Sequence, residues 1–435
     1  MTNIQSKEID AFINSAIDAI PMPGLSVMIT NKSENIYSMQ YGHGITENSP
    51  FALGSTSKAI TATAVLFFLE EYNIEMTTPI CKSLSWIDGG CGITIKDLLN
   101  HTSGIATYET IDNLKFSGTY GEFEYSNTNY NLLAKIIESV TGDPFPNYVD
   151  KQIFSPLKMD NSFALSGDTI TKIVQGHKTF FGLVFPCKTK LPDETTWIQA
   201  PSGYLCASPV DMSMYLRFML DYSQDGQRLL NLVKNTGIQV NDSPAIEGVY
   251  NNSGIYGLGW VWKTTNGIDI LYHTGKLSDF CSLSVLIPQK DITISVMCNM
   301  GDFFVGTNQI EKLYEGIISI LIGNKDVPTI QKSDYLRQHI VINISLCVLF
   351  VLCALSTNLC DLTGTSSHPT IIKYCKFILI HVTIPIILIG FFRILGIPYE
   401  IVTDFVPDIF AILIACSVIL FLTGAWKLVS IVFYA

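Results

Sequence analysis

The sequence predicts an α/β (α+β) protein. An antiparallel sheet is flanked by helices and carries a helical subdomain, and three transmembrane helices follow. Strand-like segments lie at both ends of the first 330 residues, with helix-rich sequence between them. In that pattern the two ends of a domain complete one sheet and helices cover its faces. Only 15% of the 435 residues are charged, against about 25% in an ordinary soluble domain. The shortfall is local: residues 338–435 hold only Lys373, Lys376, Arg393, Lys427, Asp361, Glu400, Asp404 and Asp408.

In chain order, residues 24–30 and 36–41 read as two strands around a turn at Asn31–Asn35. A helix starts near Ser55 and runs to about Tyr72, apolar nearly all round and therefore buried. A short helix is expected at 94–100. A second amphipathic helix at 129–140, with Tyr130, Leu133, Ile136, Ile137 and Val140 on one face, ends at Gly142. Ser208-Pro209-Val210-Asp211 presents an N-cap residue, a proline at the first helical position and an acid at the third, so a helix to about Tyr222 follows. Strands are expected at 257–263, 268–273, 281–287 and 292–299.

The division is 1–330 for the first domain and 331–435 for a membrane domain with helices near 340–356, 377–397 and 408–426. Each apolar run suits a hydrocarbon core of roughly 30 Å. As buried core helices, the three would lack amphipathic partners to cover them. Pro385 is tolerable inside such a span when neighbouring groups satisfy the freed carbonyl. Residues 1–20 contain acidic side chains and no apolar core of signal-peptide length. Lys332, Arg337 and Arg393 fall on one side of the spans and Lys373, Lys376 and Lys427 on the other, so basic residues do not choose an orientation.

The net charge of −11 excludes a polyanion partner such as nucleic acid, which needs a positive surface. The eleven cysteines show no zinc spacing, and no metal or cofactor is called for. Cys81 and Cys91 flank a glycine-containing loop; they bridge in an oxidising space or, the plainer reading, remain free thiols.

Four short motifs carry the chemistry. Ser55-Thr56-Ser57-Lys58 opens the buried helix, and side chains three apart share a helix face. A serine hydroxyl needs a base to become a nucleophile, and a lysine serves when burial lowers its pKa. In Tyr125-Ser126-Asn127 the phenol can serve as a phenolate or as a proton relay, and the amide of Asn127 can bind a substrate carbonyl or hold the lysine. His273-Thr274-Gly275-Lys276 ends a strand. Its glycine lets a substrate approach the backbone closely, and the amides of Ser55 and Lys276 form a candidate oxyanion hole. The fourth motif, Leu98–Gly104 (LLNHTSG), is structural, a helix end tied to a loop beneath the site, with His101 outside the chemistry.

In this order the motifs resemble the serine β-lactamase and penicillin-binding superfamily, whose S-x-x-K, Y-x-N and K-T-G or H-x-G elements match Ser55–Lys58, Tyr125–Asn127 and His273–Gly275. The stretches PSGYLCASPVDM (Pro201–Met212) and YGLGW (Tyr256–Trp260) extend the likeness over about residues 10–320. Of its branches, the class C β-lactamase relatives are nearest. The C-terminal spans look like those of the Flp-type proteins and the colibactin-activating D-aminopeptidase. The resemblance implies a β-lactamase/transpeptidase-like fold and a membrane-anchored serine hydrolase acting through an acyl-enzyme on a peptide or D-amino-acid-containing substrate. It further implies an extracytoplasmic catalytic domain. Ser55, Lys58 and Tyr125 would be catalytic, and Asn127, His273, Thr274, Gly275 and Lys276 would bind substrate. His273 stands where penicillin-recognising members carry lysine, leaving Lys276 as the candidate for reading a substrate carboxylate. The alternatives are a catalytically weak penicillin-binding or sensor protein of this fold, and a membrane subunit with a soluble appendage. Three spans with few polar residues (Asn343, His381, Thr383) offer the latter little pathway.

Overall fold

A computed structural model of the chain describes residues 1–116, 118–191, 199–222, 227–241, 243, 253–303, 305–359 and 370–434. Two compact units emerge. One comprises residues 1–178 and 185–332, the other 179–184 and 333–435.

The first unit is built on an eight-stranded antiparallel sheet. Its strands in chain order are β1 (Gly24–Thr30), β2 (Asn35–Gly42), β3 (Ile238–Val240), β4 (Gly254–Gly257), β5 (Trp260–Thr265), β6 (Ile268–Lys276), β7 (Cys281–Ile287) and β8 (Ile292–Cys298). Their spatial order is β2-β1-β8-β7-β6-β5-β4-β3. The two ends of the domain meet where β1 pairs with β8 from Leu25↔Cys298 to Thr30↔Thr293. Residues of β1, β7 and β8 are buried along their whole length, as expected of central strands covered on both faces. The single strand expected at 257–263 is two: the chain turns at Leu258-Gly259, both at positive φ, and β4 pairs back on β5.

The helices fall largely where the sequence indicates. α2 (Ser57–Glu71) is buried from Ser57 to Val65, and α3 (Asn127–Thr141) ends on left-handed Gly142. α4 (Pro209–Tyr222) is capped by Ser208, whose Oγ accepts from Asp211 N at 3.2 Å. It packs on β1 and β8. The helix expected at 94–100 spans Ile95–Leu99. Two helices beyond those expected, α1 (Asn3–Ala19) and α5 (Gly306–Ile322), pack on each other. α1 buries Ile9, Ile13 and Ala16, an i, i+4, i+7 stripe. Its Asp10 accepts a 2.8 Å hydrogen bond from the Tyr37 hydroxyl of β2.

Cys81 and Cys91 form a disulfide that closes the glycine-containing loop, so the free-thiol reading is set aside.

The second unit holds three helices long and apolar enough to cross a membrane, Lys332–Leu359, Ile371–Ile394 and Pro407–Ser430. The first two begin earlier than the apolar runs suggest. A π turn at Leu379–Thr383 precedes Pro385. It is the local adjustment that accommodates a residue lacking an N–H. Cys353, Ile380, Cys416 and Leu420 form the buried seam of this unit.

Candidate active site

The site is assembled where the N-terminus of α2 meets β6. A 3-10 turn, Gly54–Thr56, leads into α2. Its preceding carbonyl, Leu53 O, accepts from Thr56 Oγ1 at 2.8 Å and from Ser282 Oγ of β7 at 2.6 Å. The turn is thereby stapled to the sheet. The approach is close enough that a Cβ at Gly54 would sit 2.7 Å from Lys276 N, and one at Gly275 would meet Leu53 O at 1.9 Å. Gly275 therefore admits the protein's own turn, whereas the sequence suggested room for substrate. The result brings the main chain of Lys276 beside that of Ser55, the juxtaposition an oxyanion hole requires.

Lys58 lies one helical turn beyond Ser55 and is fully buried. Its Nζ stands 3.1 Å from Ser55 Oγ, and it donates to Asn127 Oδ1 at 2.7 Å and to Ser202 O at 2.6 Å. The last two groups can only accept from the amine. A neutral Lys58 therefore spends both N–H bonds on them and turns its lone pair toward the serine hydroxyl. Desolvation by burial holds its pKa well below the usual lysine range. Ser55 is half-buried and Asn127 exposed, so a reactant can reach them. Ser202 belongs to a π turn, Ala200–Tyr204, anchored to α2 by Thr61 Oγ1 donating to Pro201 O at 2.7 Å. The stretch PSGYLCASPVDM carried no identifiable role in the sequence, because a main-chain acceptor leaves no side-chain signature.

Tyr125 is a hydrogen-bond partner of Ser55, and desolvation raises its pKa while that bond opposes the rise. Lys58 Nζ lies 4.7 Å from its ring centroid. Beneath Tyr125, 4.4 Å between ring centroids, is His101. His101 is buried at left-handed φ 58°. Its Nδ1 accepts from Ser126 N at 3.2 Å and lies 3.0 Å from Asn129 Nδ2. It thus holds the Tyr125-Ser126-Asn127 segment from below, as the structural reading of LLNHTSG expected. Tyr130 is core, its hydroxyl donating to Leu99 O at 3.0 Å.

Along β6, side chains alternate between faces. His273 and Gly275 face the turn and Tyr125; Thr274 and Lys276 face the other way. His273 is 3% exposed, with Nδ1 2.6 Å from Thr274 O and Nε2 3.3 Å from the Tyr256 hydroxyl. Burial, then the nearby Lys58 charge, pushes its pKa down to about 3, and His101 moves in the same direction, chiefly through burial. Both imidazoles are neutral near pH 7. Lys276 pairs its ammonium with Glu311 of α5 at 2.6 Å on the far face of the sheet. Its side chain is therefore not the carboxylate reader considered above; only its main chain borders the site.

Ser55, Lys58, Tyr125, Asn127, His273 and Gly275 are thus gathered on one face. Ser202, Tyr256 and Glu311 were not singled out from sequence. Among the described residues no cluster of histidine, cysteine and acidic side chains could hold a metal ion. A buried amine aimed at a serine hydroxyl, with the Lys276 main chain close to the same turn, can support nucleophilic attack on a carbonyl. Gly275→Ala tests the closeness of turn and strand. The methyl has no space beside Leu53 O, so turnover of an activated ester should fall by about 10²-fold or more, the cost of losing one oxyanion donor. Unchanged turnover in a folded variant would count against this geometry.

Comparison with known proteins agrees with the architecture. The Staphylococcus aureus Protein flp (strain NCTC 8325 / PS 47) is 24% identical over 81% of this chain and 74% of its own. Among solved structures, the octameric penicillin-binding protein homologue from Pyrococcus abyssi superposes with a TM-score of 0.62 at 21% identity, over 76% of this chain and 80% of that one. The D-amino acid amidase from Ochrobactrum anthropi SV3, solved with L-phenylalanine amide, gives 0.61 at 18% identity, over 74% and 100%. The family profile named Beta-lactamase matches residues 9–308, from α1 into α5. This chain belongs to the beta-lactamase family.

Proposed function

We propose that the protein is a membrane-anchored serine hydrolase that cleaves an amide or ester of a peptide or D-amino-acid-containing substrate through an acyl-enzyme. The observation that carries this reading is the buried Lys58 amine, held between Asn127 Oδ1 and Ser202 O with Ser55 Oγ 3.1 Å away. Neutral Lys58 takes the Ser55 proton as Oγ bonds to the substrate carbonyl carbon. The Ser55 and Lys276 amides stabilise the resulting oxyanion. The tetrahedral adduct collapses, and Tyr125, kept protonated by its raised pKa, passes a proton to the departing amine or alkoxide, refilled from Lys58. Water, deprotonated by Lys58, then attacks the acyl carbon, and Ser55 Oγ departs with the proton returned by Lys58, freeing the acid. A lowered base and a raised acid in one site divide the two roles. The D-configured part of the proposal leans on the named amidase neighbour.

Three apolar helices supply the anchor. The Cys81–Cys91 disulfide supports a catalytic domain on the oxidising side of the membrane, where such bonds persist.

A fluorophosphonate should label the wild type and leave Ser55→Ala unlabelled, and Ser55→Ala should lose about 10³-fold or more in turnover. Equal labelling would remove Ser55 as nucleophile. The pH dependence has a definite sign. Because Lys58 acts as the neutral amine and its pKa is lowered, kcat/KM should rise with pH through that depressed value. It should then hold level into the alkaline range, since Tyr125 keeps its proton there. A rate that declines from neutral to weakly alkaline pH contradicts the assignment. Protease added to intact cells should digest the catalytic domain; full protection would place it in the cytoplasm.

A further inference from the structure

We propose that the tip of the hairpin at 176–187 is a further membrane contact of this chain: Phe180 and Leu183 enter the boundary between lipid headgroups and acyl chains, beside the first and third apolar helices. The inference rests on the reading of those helices as membrane spans.

Two short strands, Gly176–Phe180 and Leu183–Cys187, are joined by Phe181-Gly182. Both turn residues have positive φ, 53° and 81°. That is the tight two-residue hairpin turn, whose first position favours asparagine, aspartate or glycine. A bulky aromatic is disfavoured there, and the local sequence gives no reason for it. The surroundings do. Residues 179–184 belong to the second unit, and the turn is bonded to the helices of that unit. Phe181 N donates to Asp408 Oδ2 at 3.3 Å, and Phe181 O accepts from Asn343 Nδ2 at 3.0 Å. Gly182 packs so closely on His339 that a Cβ would sit 2.8 Å from its ring. In water a turn can leave its N–H and C=O to solvent. At the edge of hydrocarbon it needs protein partners, since lipid offers none.

The same two partners fix the level of the tip. The apolar run of the first span starts at Ile340, so Asn343 lies about 4–5 Å along it at 1.5 Å per residue. Asp408 immediately precedes the third run, which starts at Ile409. Around Asn343 on the first span, Ile340, Val341 and Ile344 are each more than half exposed and need lipid about them. Interfacial elements bury their apolar faces at this level, roughly 5–10 Å into the boundary. Phe180 and Leu183 flank the two-residue turn, so they stand opposite one another on one face of the hairpin. They are 39% and 63% exposed, and the Phe181 ring lies 4.6 Å from that of Phe180. Apolar side chains around a turn whose polar groups are met by the spans form a wedge suited to lipid. The bilayer thus holds the chain at 179–184 as well as from 332 onward.

The test replaces Phe180 or Leu183 of the full-length protein by p-benzoylphenylalanine, which cross-links to adjacent C–H bonds under near-ultraviolet light. The protein is reconstituted into vesicles of phosphatidylethanolamine and phosphatidylglycerol, and the cross-linked species are read by mass spectrometry. Leu352, 59% exposed within the first span, carries the same probe as the reference for lipid contact. Lipid adducts at Phe180 and Leu183 should come within about 3-fold of those at Leu352, as for side chains held in the interfacial layer. Adducts at Leu352 with none at either tip position overturn the inference. So do tip cross-links to a second copy of the chain in place of lipid, which would make the tip a contact between protomers. Absence of lipid adducts at Leu352 itself defeats the membrane-span reading, a separate outcome that takes the inference with it.

Discussion

The arrangement depends on how one amine is buried. Lys58 has no exposed surface, and each of its hydrogen-bonding directions is assigned: Asn127 from α3, Ser202 from the π turn, and Ser55 from its own helix. An ammonium stripped of water is costly unless paired, and among these partners there is no carboxylate. Two neutral carbonyl-type acceptors hold the nitrogen in place without stabilising its charge as an anion would. The same contacts that settle the buried group leave it poised to accept a proton. Three separate segments must converge for this to happen, so the integrity of the helical subdomain and the reactivity of the serine are linked.

The aromatic layer around the lysine extends that logic. His101, Tyr125, Tyr130, Tyr256 and His273 lie within ring-contact distance of one another. Both histidines are driven neutral by burial, and the tyrosine hydroxyls are driven toward staying protonated. No member carries charge near pH 7, so the environment itself sustains the depressed lysine pKa.

Much of this was legible in the sequence because it is local. Ser55 and Lys58 share a helix face, Ser208 caps α4, and the segments at 24–30, 281–287 and 292–299 read as strands. The three candidate membrane helices announced themselves by lacking charge. What was hidden is relational. Lys276 and His273 are near neighbours in sequence, yet strand alternation separates them across the sheet, and the decisive partner Glu311 comes from a helix the sequence reading passed over. Ser202 acts through a carbonyl, which every residue has. Gly275 was assigned to the right closeness and the wrong visitor, because nothing local shows that Leu53 occupies the space. The Cys81–Cys91 bond depends on the fold bringing both into one loop.

The pairing of β1 with β8 has a consequence for how the molecule is made. Leu25 and Cys298 are direct partners, so the sheet's centre cannot close until the chain between them has been synthesised. At 5–20 residues per second, β1 waits on the order of 15–60 s for its neighbour. Throughout that interval a strand destined for complete burial has an open edge, a hazard for aggregation. The candidate nucleophile Ser55 and base Lys58 are already neighbours in sequence, but β6, which brings the Lys276 amide, arrives near the end. The candidate site is therefore complete only once the last sheet strands emerge.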